Sequence, residues 1–132
     1  MPWPGIEEIR MSNRAVRKDV LRDRLSRSRE INISVTGRKS GRTISIPIWF
    51  VADDEKLYLL PARGSDTQWY KNVLKKPSIR IKASGAEVEL KVVPVSDTAQ
   101  VSSVVEKFRG KYGESGIKLY SKLDVAVLSQ MP

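Results

Sequence analysis

Hydrophobic and polar residues alternate along much of the chain from residue 31 onward, and this period of two predicts β-strands. In TISIPIWFVA, residues 43–52, isoleucine or phenylalanine occupies every second position from 44 to 50, with serine, proline and tryptophan between them. Because Pro47 has no N–H to donate to a neighbouring strand, it should lie at an edge or a bulge. Similar patterns predict strands at INISVT (31–36), LYLLPA (57–62), SIRIKAS (78–84), AEVELKVVPV (86–95) and KLDVAVLS (122–129).

Three segments have helical rather than strand patterns. Residues 7–28 carry apolar positions that drift around a helix, and residues 66–76 read as a short helix with Asp66 or Thr67 as N-cap. A third helix should begin at a Ser96 or Asp97 cap and stop near Gly113. About six mostly antiparallel strands with flanking helices indicate an α+β fold, a small barrel rather than an open sheet. We expect a single domain over 1–132, with a basic helical segment at 1–29 and the barrel at 30–132.

The composition narrows the chemistry. The 132 residues include no cysteine and no histidine, which excludes thiol nucleophiles, Ser-His-Asp triads and Cys/His zinc sites, so no metal site is predicted. An enzyme of this composition would depend on a bound cofactor for its reaction. The absence of cysteine and of a signal-peptide pattern favours the cytoplasm. No apolar run approaches the ~20 residues of a transmembrane helix.

The formal net charge of +9 predicts an anionic partner. The loop TGRKSGR, residues 36–42, combines cations, glycines and hydroxyls, as a phosphate site does, although a solvated basic turn has the same composition. Two further segments, PARGS (61–65) and QWYKN (68–72), follow a strand end or begin a helix. One crevice could therefore collect all three segments.

In order and spacing, TGRKSGRTISIPIWF, LYLLPARGS and WYKNVLKKPSIRI resemble the deazaflavin-dependent nitroreductase family. That family belongs to the split β-barrel group of flavin and pyridoxamine-phosphate oxidase-like proteins. The resemblance covers roughly residues 30–95. It implies a split β-barrel with coenzyme F420 in a groove at the barrel mouth, hydride transfer to a small organic substrate, and a homodimer.

The resemblance also implies which residues bind the cofactor. Residues 39–41 would hold its acidic side chain, residues 47–49 would line the ring, residues 62–64 would lie near the ring edge or phosphate, and residues 69, 70 and 72 would close the phosphate end. The full set is Lys39, Ser40, Gly41, Arg42, Pro47, Ile48, Trp49, Ala62, Arg63, Gly64, Trp69, Tyr70 and Asn72. No catalytic side chain is assigned; Tyr112, Tyr120 or water could donate a proton.

Three alternatives stay open at this point. FMN also joins a flat ring to a phosphate, so an FMN-dependent oxidoreductase would use the same groove. A non-catalytic flavin carrier would bind the cofactor without turning over a substrate. The basic residues between 10 and 29 also permit a nucleic-acid-binding module, which is the less favoured interpretation because few aromatic residues are interleaved with the cations.

Overall fold

A computed structural model describes residues 28–53, 55–83 and 86–130. The helix predicted at residues 7–28, and with it nearly all of the basic segment 1–29, lies outside the described residues. The elements follow one another as β1 (Glu30–Thr36), β2 (Thr43–Asp53), β3 (Lys56–Leu59), a 3₁₀ turn (Gly64–Asp66), α1 (Gln68–Lys75), β4 (Ser78–Ala83), β5 (Ala86–Val95), α2 (Thr98–Ile117) and β6 (Ala126–Gln130).

The six strands close into a barrel in the order β1-β2-β3-β6-β5-β4, and every pairing is antiparallel. This confirms the α+β barrel predicted from the alternating pattern. The barrel interior is filled by side chains from all six strands, the largest of them without exposed surface: Ile33, Phe50, Leu57, Leu59, Ile79, Ile81 and Val127. A second apolar cluster lies between α2 and the outer wall, where Phe108 is fully buried.

Strand β2 changes partner halfway along its length. Residues 43–49 pair with β1, whereas residues 50–53 pair with β3. Pro47 lies opposite Asn32 in the first half, and within the described residues no strand pairs with the other edge of β2 there. The prediction that Pro47 marks a strand edge is therefore confirmed, and its missing donor leaves no gap in a ladder.

The helices follow the predicted pattern with two differences. Asp97 caps α2 as expected, since its Oδ2 accepts a hydrogen bond from the Gln100 N–H at 3.0 Å. Gly113 (φ 80°) interrupts α2, but the helix resumes and ends at Ile117, one turn later than predicted. The last strand begins at Ala126 rather than at residue 122, because residues 121–124 contact the loop after β3 instead. Neither described helix is long and apolar enough to span a membrane.

Candidate functional site: a cleft at the barrel mouth

A cleft of about 550 Å³ opens beside the unpaired edge of β2. Its lining comes from five places in the described chain: the first residue of β1, β2, the loop after β3, the start of α1 and the segment that follows α2. The lining residues are Glu30, Ile46, Pro47, Ile48, Trp49, Leu60, Ala62, Arg63, Asp66, Thr67, Gln68, Trp69, Leu119 and Tyr120. Of the predicted cofactor-binding residues, the cleft brings together Pro47, Ile48, Trp49, Ala62, Arg63 and Trp69.

The β2 wall is held rigidly from behind by Tyr112 of α2. The rings of Trp49 and Tyr112 stack with centroids 4.2 Å apart and planes 5° apart. The Tyr112 hydroxyl accepts a hydrogen bond from the Phe50 N–H at 3.0 Å and has two carbonyl acceptors, Phe50 O at 2.8 Å and Arg29 O at 2.6 Å. Burial raises the pKa of Tyr112, so it stays a neutral phenol. This side chain thus fixes the wall and has no free hydroxyl hydrogen for chemistry in the cleft.

The opposite wall is the loop that carries Arg63, which residues 121–124 hold in place. The Ser121 N–H donates to Ala62 O at 2.8 Å, and the Asp124 carboxylate accepts from Ser65 N–H at 2.9 Å and from Ser65 Oγ at 2.6 Å. Partial burial disfavours the charged form of Asp124, but the bonds from Ser65 outweigh it and lower the pKa of that carboxyl. Arg63 is therefore presented on a fixed loop.

Gly64 is required by this close approach. Its φ is +54°, a conformation that side chains disfavour, and a methyl group on its Cα would overlap the Asp124 carboxylate. Gly64 is buried behind the cleft and does not line it. The structure accordingly gives this predicted residue a place in the loop rather than against a ligand.

The start of α1 forms the third side of the cleft. Thr67, Gln68 and Trp69 line it, and Thr67 takes the N-cap position. The Thr67 hydroxyl accepts a hydrogen bond from the Arg63 N–H at 2.8 Å rather than from the helix, so no side chain caps the first turn. Helix N-termini attract anions because their first N–H groups lack internal partners. The rim of the cleft can therefore hold a negative group.

The lining of the cleft carries less positive charge than the net charge of the chain suggested. Its ionisable lining consists of Arg63, Glu30, Asp66 and Tyr120, and Asp66 Oδ2 lies 3.4 Å from Lys122 Nζ just outside. Lys39, Ser40 and Arg42 are exposed and do not line the cleft, whereas Gly41 lines a different groove. Among the lining residues that the structure describes, Arg63 is the one cation.

The basic loop is nevertheless tied to the cleft through α1. The Asn72 Oδ1 atom accepts hydrogen bonds from Arg38 Nη1 at 2.8 Å and from the Arg38 N–H at 3.1 Å, and Gln68 Oε1 accepts from Arg38 Nη2 at 2.8 Å. Asn72 is buried and serves this attachment. Tyr70 is buried in the barrel core, where desolvation raises its pKa.

Sequence reasoning missed several lining residues. Leu119 and Tyr120 reach the cleft because α2 continues for one turn past Gly113, and nothing in the hydrophobic pattern indicated that extension. The sequence indicated Tyr120 only as a possible proton donor. Its pKa is raised by burial and by the neighbouring Tyr112, and no hydrogen bond from its hydroxyl is found in the part of the chain described. Arg38 was visible in the basic loop, but its partner Asn72 is distant in sequence.

Several solved structures of differing function have the same fold. The chain is similar to an F420-H2 dependent reductase (TM-score 0.61, 16% identity, 77% of this chain and 94% of that one). It is also similar to HutZ, the heme storage protein from Vibrio cholerae (TM-score 0.65, 13% identity, 85% and 87%). A third similar structure is a putative pyridoxamine 5'-phosphate oxidase from Listeria innocua (TM-score 0.61, 12% identity, 87% and 92%). At these identities the likeness establishes the fold, a split β-barrel.

The family to which the chain belongs is identified by its amino-acid sequence. Residues 22–126 match the family described as uncharacterized protein conserved in bacteria (DUF2255), and the chain belongs to that family. No curated protein matches the chain. The split-barrel fold predicted from the resemblance is thus confirmed, while membership of the deazaflavin-dependent nitroreductase family and deazaflavin binding stay predictions.

Proposed function

We propose that this protein is an oxidoreductase that binds a flavin-type cofactor in the cleft and transfers a hydride between it and a small organic substrate. One observation carries the proposal: the apolar residues 46–49 of β2 and Trp69 line the same cleft of about 550 Å³, together with Arg63 and the uncapped start of α1. That volume lies in the range of roughly 300–1,000 Å³ typical of ligand sites. The arrangement suits a flat ring joined to a phosphate.

In this proposal, different walls of the cleft contact different parts of the cofactor. Pro47 and Ile48 pack against one face of the ring, and Trp49 keeps its position because Tyr112 stacks behind it. Arg63 and the first N–H groups of α1 hold the phosphate. A bound reduced deazaflavin or flavin supplies the hydride, and the chain has to orient it and exclude water.

Tyr120 is the proton donor that the geometry favours. It lines the cleft, whereas the Tyr112 hydroxyl is already engaged with the backbone of Phe50. The phenol of Tyr120 is protonated at neutral pH, and because burial raises its pKa it is a weak acid that would give its proton only to a strongly basic anion. A protonated phenol at the cleft surface can donate a proton to a substrate that has accepted a hydride.

Coenzyme F420 is the cofactor we favour, on grounds of charge. Lys39 and Arg42 are exposed, and neither has an ion-pair partner in residues 28–53, 55–83 and 86–130. Their loop is attached to α1 through Arg38, next to the cleft. A long acidic tail leaving the cleft would meet these two cations. FMN is the alternative, because Arg63 and the helix start are sufficient for a single phosphate.

The proposal is tested by titrating the protein with F420 and, separately, with FMN while recording visible absorption. Arg63→Gln should weaken binding of either cofactor by about 10-fold, the effect of losing one charge-assisted hydrogen bond. Lys39→Ala combined with Arg42→Ala should weaken F420 by about 10-fold and leave FMN unchanged. Lys82→Gln, an exposed charge outside the cleft, is the matched control.

Three outcomes decide among the interpretations. Saturable binding of F420 or of FMN selects the cofactor. Binding without hydride transfer to any quinone or nitroaromatic acceptor would favour the non-catalytic carrier. If neither cofactor binds, or if Arg63→Gln binds as tightly as the wild type, the cleft assignment is wrong. The homodimer and the cytoplasmic location implied by the sequence stay predictions, and sedimentation analysis tests the first.

A further inference from the structure

A second cavity, of about 210 Å³, lies between β1 and β4 and shares no lining residue with the cleft. The ladder between these strands ends at the Ser34–Arg80 pair. If the same antiparallel register continued, residues 35–36 would pair with residues 78–79, but all four instead line the cavity. The strands therefore separate at this point, and the cavity occupies the gap. We call it the seam groove.

Four of the ten described lining residues of the seam groove carry hydroxyl groups. Outward-facing positions of three strands supply them, because the inward positions of the same strands are apolar. Ser78 Oγ donates to Glu89 Oε1 at 2.8 Å, and Ser34 Oγ lies 2.8 Å from Ser45 Oγ. The hydroxyl-bearing lining residues are Ser34, Thr36, Thr43 and Ser78. A groove of this kind takes a polar group rather than a flat ring.

Cations surround the same groove. Lys76 and Arg80 line it, and Gly41 brings the basic loop of residues 38–42 to its edge. Lys76 has no ion-pair partner among the residues that the structure describes. Arg80 is paired with Glu87 only at 3.8 Å and with both side chains exposed, a contact of little energetic value. Glu89, to which Ser78 already donates a hydrogen bond, is the one carboxylate in the described part of the lining.

We propose that the seam groove binds one phosphate-type oxyanion, free or carried by a small phosphorylated molecule. The Lys76 ammonium, the Arg80 guanidinium and the hydroxyls of Thr36 and Thr43 are donors that such an anion requires, whereas the hydroxyls of Ser34 and Ser78 already have side-chain partners. The volume is below the roughly 300 Å³ at which whole-ligand sites begin, so it suits a single group. The proposal does not depend on the function of the cleft.

The test is a titration of the ¹⁵N-labelled protein with inorganic phosphate at constant ionic strength, with chloride as the balancing ion. Saturable amide shifts are expected at Thr36, Thr43 and Ser78, with a dissociation constant that is unchanged in Arg63→Gln, the variant that removes the phosphate donor proposed for the cleft. A phosphorylated sugar of similar charge, titrated in parallel, shows whether the groove prefers a free or a carried phosphate; saturable binding of either one supports the proposal.

Charge variants show whether the binding is local. Lys76→Gln and Arg80→Gln should each raise the dissociation constant by about 5-fold or more, as expected for the loss of one charged donor. Lys75→Gln removes the same charge from an adjacent exposed position that does not line the groove. This variant should change the dissociation constant by less than about 2-fold. All three positions are exposed, so the spectra of the variants should retain the folded pattern.

Three results would overturn the proposal. The first is a set of shifts that do not saturate, and the second is an equal loss of phosphate affinity in Lys75→Gln and Lys76→Gln. The third is binding of a short single-stranded DNA, but not of the small phosphates, with steep salt dependence and equal sensitivity to both lysine variants. That pattern would assign the cations to diffuse nucleic-acid binding.

Discussion

Tyr112→Phe tests how the β2 wall of the cleft is held. The phenylalanine ring can keep the stack on Trp49, but the variant loses the hydroxyl that accepts from the Phe50 N–H at 3.0 Å and donates to Phe50 O or Arg29 O. Phe50 has no exposed surface, so its N–H is left without a partner in the core. The lost hydrogen bond and the unsatisfied buried N–H together should lower the free energy of unfolding by about 2 kcal/mol.

Urea unfolding measures this loss. For a chain of this size, 2 kcal/mol corresponds to a midpoint lower by about 1 M, with an unchanged slope. Tyr120→Phe is the matched control, because no hydrogen bond of the Tyr120 hydroxyl is found within residues 28–53, 55–83 and 86–130. It should change stability by less than about 0.5 kcal/mol. Equal midpoints for the wild type and Tyr112→Phe would refute the argument that this hydroxyl supports the wall.

The remaining predictions concern Lys111, the Arg63 loop and the basic loop. Burial, followed by the neighbouring Arg29, lowers the pKa of Lys111 to about 8. The unfolded state therefore binds more protons than the folded state between about pH 8 and 10.5, so the stability of the wild type should rise with pH relative to that of Lys111→Met. Urea unfolding of both proteins at these two pH values measures the difference. An equal pH dependence of stability in the two proteins would contradict the prediction. Gly64→Ala should destabilise by about 2 kcal/mol or more, and Gly41→Ala, also at positive φ but with open space around it, by only about 1 kcal/mol. Asn72→Leu should release the basic loop, seen as faster amide hydrogen exchange at residues 37–42, and unchanged exchange would count against that attachment.

The alternating pattern was sufficient to predict the barrel because each strand has one face in the core. Ile33 and Ile81 are fully buried, while Ser34 and Arg80 beside them face outward, so a period of two describes these strands without knowledge of their partners. Pro47 was informative for the same local reason, since a residue without an N–H restricts where its strand can lie. Local rules also gave the Asp97 cap.

The cleft was only partly predictable, because its walls depend on contacts between distant segments. Gly64 reads in the sequence as a loop glycine, but its role is to make room for Asp124, 60 residues later. The basic loop was expected in the same crevice as Trp49; the structure instead ties it to α1 through Arg38 and leaves its cations outside the cleft. Tyr120 reached the site through a helical turn that no pattern indicated.

The central claim, that a flat cofactor lies against β2, is tested most directly by the tryptophan indole signals. The chain has three tryptophans; Trp49 and Trp69 line the cleft, and Trp3 lies outside the described residues. In a ¹H–¹⁵N titration with F420 or FMN, the account predicts that the Trp49 and Trp69 signals move together and saturate at one dissociation constant, which matches the absorption titration. Saturable cofactor binding that leaves both signals unmoved would place the cofactor elsewhere and contradict the account.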